Sequence, residues 1–191
     1  MLKQSITVLV KDIIKDYINE GSVCVDLTAG NGNDTLFMAE RSGDLGRVYA
    51  FDIQKQAINN TKKLLDKHKL ENRVTLIFDG HEKLDKYVEE NIDIAMANFG
   101  YLPSGNKEII TKSRTSLSAV KSTVSKLSER GVLSLVLYTG HMGSQEERDT
   151  IMDYISKIDE KKFTVMNITY PNRTASPPEI VFVYKKSCNR G

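Results

Sequence analysis

A chain of 191 residues, 40% hydrophobic and 27% charged, has the size and balance of one globular domain, and residues 1–191 are read as a single unit. No apolar stretch approaches the roughly 18 residues that cross a bilayer, and the start, MLKQSITVLVKD, lacks the small-residue cleavage site of a secretory leader. Two distant cysteines make neither a disulfide framework nor a metal cluster, so a cytoplasmic protein without a metal is expected. The net charge of +2 neither requires nor excludes a nucleic-acid partner.

Ile6, Leu9, Val10, Ile13, Ile14 and Tyr17 recur at helical spacing, which predicts an amphipathic N-terminal helix over 2–19, ended by Gly21. A short apolar strand follows over 23–27, then a glycine-bearing turn and a helix over 34–41. Residues 47–51 read as a second strand. Ala57, Ile58, Thr61, Leu64 and Leu65 mark the inner face of the next helix. Strands are predicted at 74–78 and 92–97. A helix carrying Leu117, Val120, Val124 and Leu127 inward precedes a fifth strand over 132–138. A helix over about 145–158 leads to strands at 163–169 and 180–184.

Strands that alternate with helices imply an α/β fold: a doubly wound, mostly parallel, seven-stranded Rossmann-like sheet. The last two strands are joined only by a loop, so one antiparallel strand is expected. In such sheets ligands bind beyond the carboxyl ends of the strands, near the switch point. The segments after the first four strands are therefore the ones to read for chemistry.

The first is Asp26-Leu-Thr-Ala-Gly-Asn-Gly-Asn-Asp34. Gly30 and Gly32 allow a sharp turn and close approach to a ligand, and the following helix offers unpaired N–H groups. Ala29, Asn31, Asn33 and Thr35 belong to the same candidate cofactor loop. Taken alone, a plain strand-to-helix turn explains it equally. Asp52 closes the second strand 20 residues after Gly32, the place of an acid that accepts from ribose hydroxyls; Ile53 follows it. A dinucleotide fingerprint wants a third small residue, but Thr35 stands there with Asp34 before it. An acid is unwelcome beside a pyrophosphate and tolerable beside the cationic methionine part of S-adenosylmethionine. That spacing favours S-adenosylmethionine over a nicotinamide cofactor. Asp79, Gly80 and His81 follow the third strand, where Asp79 is placed to accept from an adenine amino group. His81 serves there or simply begins a helix. Asp26 orients the turn or meets the cofactor amine.

The fourth strand ends in Asn98-Phe-Gly-Tyr-Leu-Pro103. Methyl transfer to an amine needs acceptors that turn the nitrogen lone pair toward the methyl group. The Asn98 side-chain carbonyl and the Phe99 backbone carbonyl are candidates, and Tyr101 offers a face for a base to stack on. After the fifth strand comes Tyr138-Thr-Gly-His-Met-Gly143, where His141 as base, phosphate contact or plain loop residue stays open.

The segments DLTAGNGNDT, FDIQ, NFGYLPSGNK, YTGHMGS and NRTASPPEIVFVYK occur here in order. From about Val23 to Lys185 the chain resembles a bacterial family labelled rRNA methylases, some of whose members act on transfer RNA. The resemblance implies a class I methyltransferase fold, S-adenosylmethionine as donor, and the amine of 5-aminomethyl-2-thiouridine at the tRNA wobble position as acceptor. It departs at Asn33, where the family often has His, at Ser104-Gly105 for Gly-Gly, and at Met142, where Pro is common. Two alternatives remain: an rRNA methyltransferase, and a non-catalytic RNA-binding module responsive to S-adenosylmethionine. The Asn98–Tyr101 segment argues against the second. The anticodon stem-loop is the expected RNA partner, and a homodimer would enlarge an otherwise small RNA-binding surface.

Overall fold

A computed structural model describes residues 5–100, 111–140, 143–173 and 177–188. The seven strands are β1 Val23–Asp26, β2 Arg47–Phe51, β3 Val74–Ile77, β4 Ile92–Phe99, β5 Leu127–Leu137, β6 Phe163–Ile168 and β7 Glu179–Lys185. The α-helices are α1 Ile6–Ile14, α2 Asn33–Arg41, α3 Lys55–His68, the single turn α4 Leu84–Tyr87, α5 Ser113–Lys126 and α6 Ser144–Ile155. The sheet order is β3-β2-β1-β4-β5-β7-β6. β7 runs antiparallel to both β5 and β6 and is the one reversed strand.

Side chains alternate across the strands and feed two cores. Val25, Ala95, Ala97, Leu133 and Leu135 face α4, α5 and α6. Cys24, Ile94, Met96, Val132 and Val136 face Val10 and Ile14 of α1, Met38 of α2 and Leu65 of α3. A sheet buried on both faces explains why its parallel strands are nearly continuous apolar runs.

Several boundaries differ from expectation; α6, for one, stops at Ile155 and not at 158. The N-terminal helix does not run to residue 19. It ends at Ile14, a 3-10 turn covers Lys15–Tyr17, and Ile18 is extended at φ −94°, ψ 116°. Ile18 is buried in the second core, so the chain must leave the helical path to place it there before β1. Ser5 begins the helix, its side chain accepting from the Val8 N–H at 3.4 Å; residues 2–4 lie outside the described residues. β4 continues two residues past 97, because Asn98 and Phe99 still pair with Val136 and Leu137 of β5. β5 itself starts at Leu127, which was expected on the inner face of α5. Its early part is irregular: the register with β4 shifts between Ile92 and Ile94, and Arg130 has φ 67°.

The chain turns one way from β1 to β3 and the other way from β4 to β6. The gap between β1 and β4 is the switch point, and the segments singled out from the sequence meet at its carboxyl edge.

Candidate functional site

A cavity of about 670 Å³ opens at that edge, within the range of small-molecule sites. Its floor is the turn after β1. Gly30 and Gly32 take φ 54° and 83°, backbone that residues with a Cβ adopt poorly. A Cβ on Gly32 would sit 2.9 Å from the Thr61 Cα in α3. We therefore expect Gly32→Ala to destabilise the protein by about 1–3 kcal/mol, read from the urea midpoint; an unchanged midpoint would show that the turn is not so constrained. The turn is fastened on all sides. The Ala29 N–H donates to the Phe51 carbonyl at 2.8 Å, the Gly32 N–H to the Ala29 carbonyl at 2.8 Å, and Asn60 Nδ2 to Asn31 Oδ1 at 3.0 Å.

Asp52, just past β2, receives the Gly30 N–H on Oδ2 at 3.0 Å and the Gln54 N–H on Oδ1 at 2.8 Å. Each oxygen keeps a lone pair for a further donor. Partial burial raises its pKa. Ile53 beside it lines the cavity with 55% of its surface exposed, an apolar face ready to be covered by a flat ligand.

Beyond β3, Asp79 accepts from Lys83 Nζ at 2.5 Å, Tyr87 Oη at 2.8 Å and the Gly80 N–H at 2.8 Å. These donors hold its carboxyl low, at about 2, so it stays an anion. His81 opens a 3-10 turn rather than an α-helix. Its Nδ1 lies 3.1 Å from the Leu27 carbonyl, which can only accept. Nδ1 therefore carries the hydrogen, and Nε2 presents a lone pair. That buried Nε2 has no partner among the described residues. Burial also lowers the imidazole pKa and favours this neutral form. His81 lines the cavity with its ring, while Nε2 itself is closed off from solvent.

Asp26, Gly32 and Thr35 do not line the cavity; they lie behind its wall. Asp26 is fully buried at the end of β1, taking the Thr35 hydroxyl at 2.6 Å and the Thr28 N–H at 3.1 Å. Burial first, and then the charge of Asp34, push its pKa up to about 7. Its ordinary value is 3.8, so between about pH 4 and 7 the unfolded chain loses this proton while the folded chain keeps it. Stability contributed at low pH is therefore lost across that window. Asp26→Asn removes the charge: its Oδ1 still accepts the Thr28 N–H, and its Nδ2 donates to a Thr35 hydroxyl turned to accept. Its unfolding free energy should match wild type near pH 4 and exceed it increasingly toward pH 7.5, by a difference on the order of a few kcal/mol. A gap that does not widen with pH would contradict the assignment.

The end of the cavity beside β4 is built around Asn98. Its N–H donates to Thr28 Oγ1 at 2.8 Å, and its Nδ2 donates to Asp34 Oδ2 at 2.6 Å. A carboxylate can only accept, so Asp34 fixes which end of the amide is nitrogen and leaves Oδ1 unencumbered by that contact. The Phe99 ring is buried and meets His81 edge-on at 5.7 Å, so the cavity wall here comes from Asn98 and Gly100. Tyr101 and His141 lie outside the described residues.

The site also recruits residues that sequence reading passed over. Lys11 of α1 donates to the Asn33 carbonyl and to Asp34 Oδ1, both at 2.8 Å, and lines the cavity with Thr7. Thr7 and Lys11 share a helix face by their spacing, but nothing in the sequence says what that face meets. Thr28 and Tyr138 complete the walls near Asn98, and no group with metal-ligand geometry occurs among the described residues.

Known proteins resemble this chain in sequence and in fold. The profile of a family described as "Putative rRNA methylase" matches residues 48–184. A protein of Arabidopsis thaliana named tRNA (mnm5s2U34)-methyltransferase, chloroplastic, is 40% identical over 179 residues, 88% of this chain; the chain spans 65% of that relative's length. The structure of a "putative rRNA-methylase" from Clostridium thermocellum superposes with a TM-score of 0.93 at 38% identity, covering 97% of this chain and all of that one. A "putative methyltransferase" from Streptococcus mutans, solved in complex with SAH, superposes with a TM-score of 0.86 at 36% identity over 97% of this chain and 99% of its own.

Proposed function

The chain belongs to the rRNA methylase family, and on that premise we propose that it is an S-adenosylmethionine-dependent RNA methyltransferase acting on the amine of 5-aminomethyl-2-thiouridine at the tRNA wobble position. The observation that carries this reading is the charge and hydrogen-bond pattern of the cavity. Asp34 and Asp52 flank the glycine turn with Lys11 as partial counterion, an anionic setting for a cationic ligand. The spare acceptors of Asp52 fit the hydroxyls of a ribose, and the His81 ring lines the cavity beside it. Their positions also fit the roles of Asp79, Gly80 and Ile53 as the surroundings of an adenine ring.

When bound, S-adenosylmethionine supplies an electrophilic methyl group on a sulfonium. The protein's own task is positioning. Asn98 Oδ1 accepts one N–H of the substrate amine, held in direction by the Asp34 contact. The Phe99 backbone carbonyl and Tyr101 are assigned the second N–H and the stacking of the base. The attacking amine must be neutral, so the rate should rise with pH until the bound amine has lost its proton; His141 or solvent takes the proton released afterwards.

The plant relative named for mnm5s2U34 supports the choice of substrate. Anticodon bases can be splayed out to reach a pocket of this kind. Among the described residues no helix is long and apolar enough to cross a membrane, and the cytoplasm is the compartment we assign, with a homodimer as the form that offers the anticodon stem-loop a larger surface.

Nucleoside mass spectrometry of tRNA from cells with and without this protein tests the reading. Loss of the protein should leave 5-aminomethyl-2-thiouridine unmethylated. Unchanged tRNA alongside a missing methyl group in ribosomal RNA would move the assignment to rRNA.

A further inference from the structure

We propose that Lys11 is the reader of the cofactor's α-carboxylate and that the adjacent Asp34 faces its α-ammonium group. The inference rests on the reading of the cavity as an S-adenosylmethionine site.

The cavity has two chemically different sides of β1. The side toward β2 and β3 carries Asp52, Ile53 and His81, groups suited to a ribose and a base. The other side is built by α1 and the start of α2, and there a cation and an anion stand side by side. Lys11 Nζ and Asp34 Oδ1 are 2.8 Å apart, with only 22% and 9% of the side chains exposed. An α-amino acid end carries the same two charges in reverse, so it can lie across the pair with each charge opposed.

Lys11 is held ready for this. An ammonium has three hydrogens, and the Asn33 carbonyl and Asp34 take two of them. The Phe37 ring lies 5.3 Å from Nζ and supports the charge from a further side. A third hydrogen is left for the cavity that Lys11 lines. Asp34 in turn touches Asn98. An amino-acid end seated on Lys11 and Asp34 thus brings the neighbouring sulfonium close to the transfer amide, while the ribose reaches Asp52. The N-terminal helix, outside the glycine turn and its flanking strands, becomes part of the cofactor site.

The alternative is that Lys11 only ties α1 to α2. Two ligands that differ by one carboxylate separate the two roles: S-adenosylmethionine and its decarboxylated form, titrated calorimetrically without RNA. Wild type should prefer S-adenosylmethionine by about tenfold or more, the range for a hydrogen bond between charged groups. Lys11→Met should lose that preference, binding S-adenosylmethionine about tenfold more weakly and the decarboxylated ligand within about twofold of wild type. Lys11→Arg, which keeps the charge, should keep the preference. A parallel loss for both ligands in Lys11→Met, with a lower unfolding midpoint, would assign Lys11 to structure and overturn the proposal. Unchanged S-adenosylmethionine affinity would overturn it as well. Failure of wild type to bind either ligand would instead remove the cofactor reading beneath it.

Discussion

Asn98→Ala should lower kcat by about two orders of magnitude, the scale lost when a reacting group is poorly positioned, while SAH affinity stays within about threefold. The structure separates these two effects. The backbone N–H of residue 98, bonded to Thr28 Oγ1, survives the substitution and keeps the end of β4 in place. Asp34 loses the Nδ2 contact but retains Lys11. What disappears is the amide oxygen whose direction Asp34 sets. That oxygen matters most as the amine turns its lone pair toward the methyl group, so the loss falls on turnover rather than on cofactor binding. Single-turnover transfer of labelled methyl to RNA, with SAH titrated in parallel, reads both quantities. Wild-type turnover would remove Asn98 from the chemistry, and a large loss of SAH affinity would make it a cofactor residue.

Asp52→Ala should act the other way, on binding. Its carboxylate accepts from Gly30 and Gln54 and has spare acceptors for ribose hydroxyls. Removing it deletes the ribose anchor and unfastens the glycine turn together. We expect a loss of roughly 1.5–3 kcal/mol in affinity for S-adenosylmethionine, from about tenfold to beyond a hundredfold. The ligand-free fold should survive, because Asp52 is half-buried and gives up an unfavourable desolvation when replaced. Calorimetric titration with a thermal melt of the free protein checks both; unchanged affinity would detach Asp52 from the cofactor.

Much of this site was legible because its signals are local. The run Arg47–Phe51 is a strand at the expected residues, and the glycines after β1 have the positive φ that their spacing suggested. The single antiparallel strand followed from the missing helix between β6 and β7. Other features were hidden because they depend on distant partners. Ile18 leaves the helical pattern only because a core pocket takes it. The start of β5 carries the polar residues Ser128, Glu129 and Arg130, so alternation and hydropathy gave no strand there. Asp34 was read as tolerating a cationic ligand; the cation beside it in the structure is Lys11, 23 positions upstream on another helix. Asp26 and Thr35 were each read as cofactor-site residues, with no link between them. Their geometry, a hydroxyl donating to a buried carboxylate behind the cavity wall, needed coordinates.

The central claim is a cavity that holds S-adenosylmethionine and delivers its methyl group to an RNA-borne amine. The direct measurement combines purified protein, S-adenosylmethionine and tRNA carrying unmethylated 5-aminomethyl-2-thiouridine, followed by mass spectrometry of the nucleosides. One added methyl on that nucleoside with wild type, formed about a hundredfold more slowly with Asn98→Ala, is the predicted result. No transfer to that tRNA, under conditions where calorimetry shows S-adenosylmethionine bound, would contradict the substrate assignment.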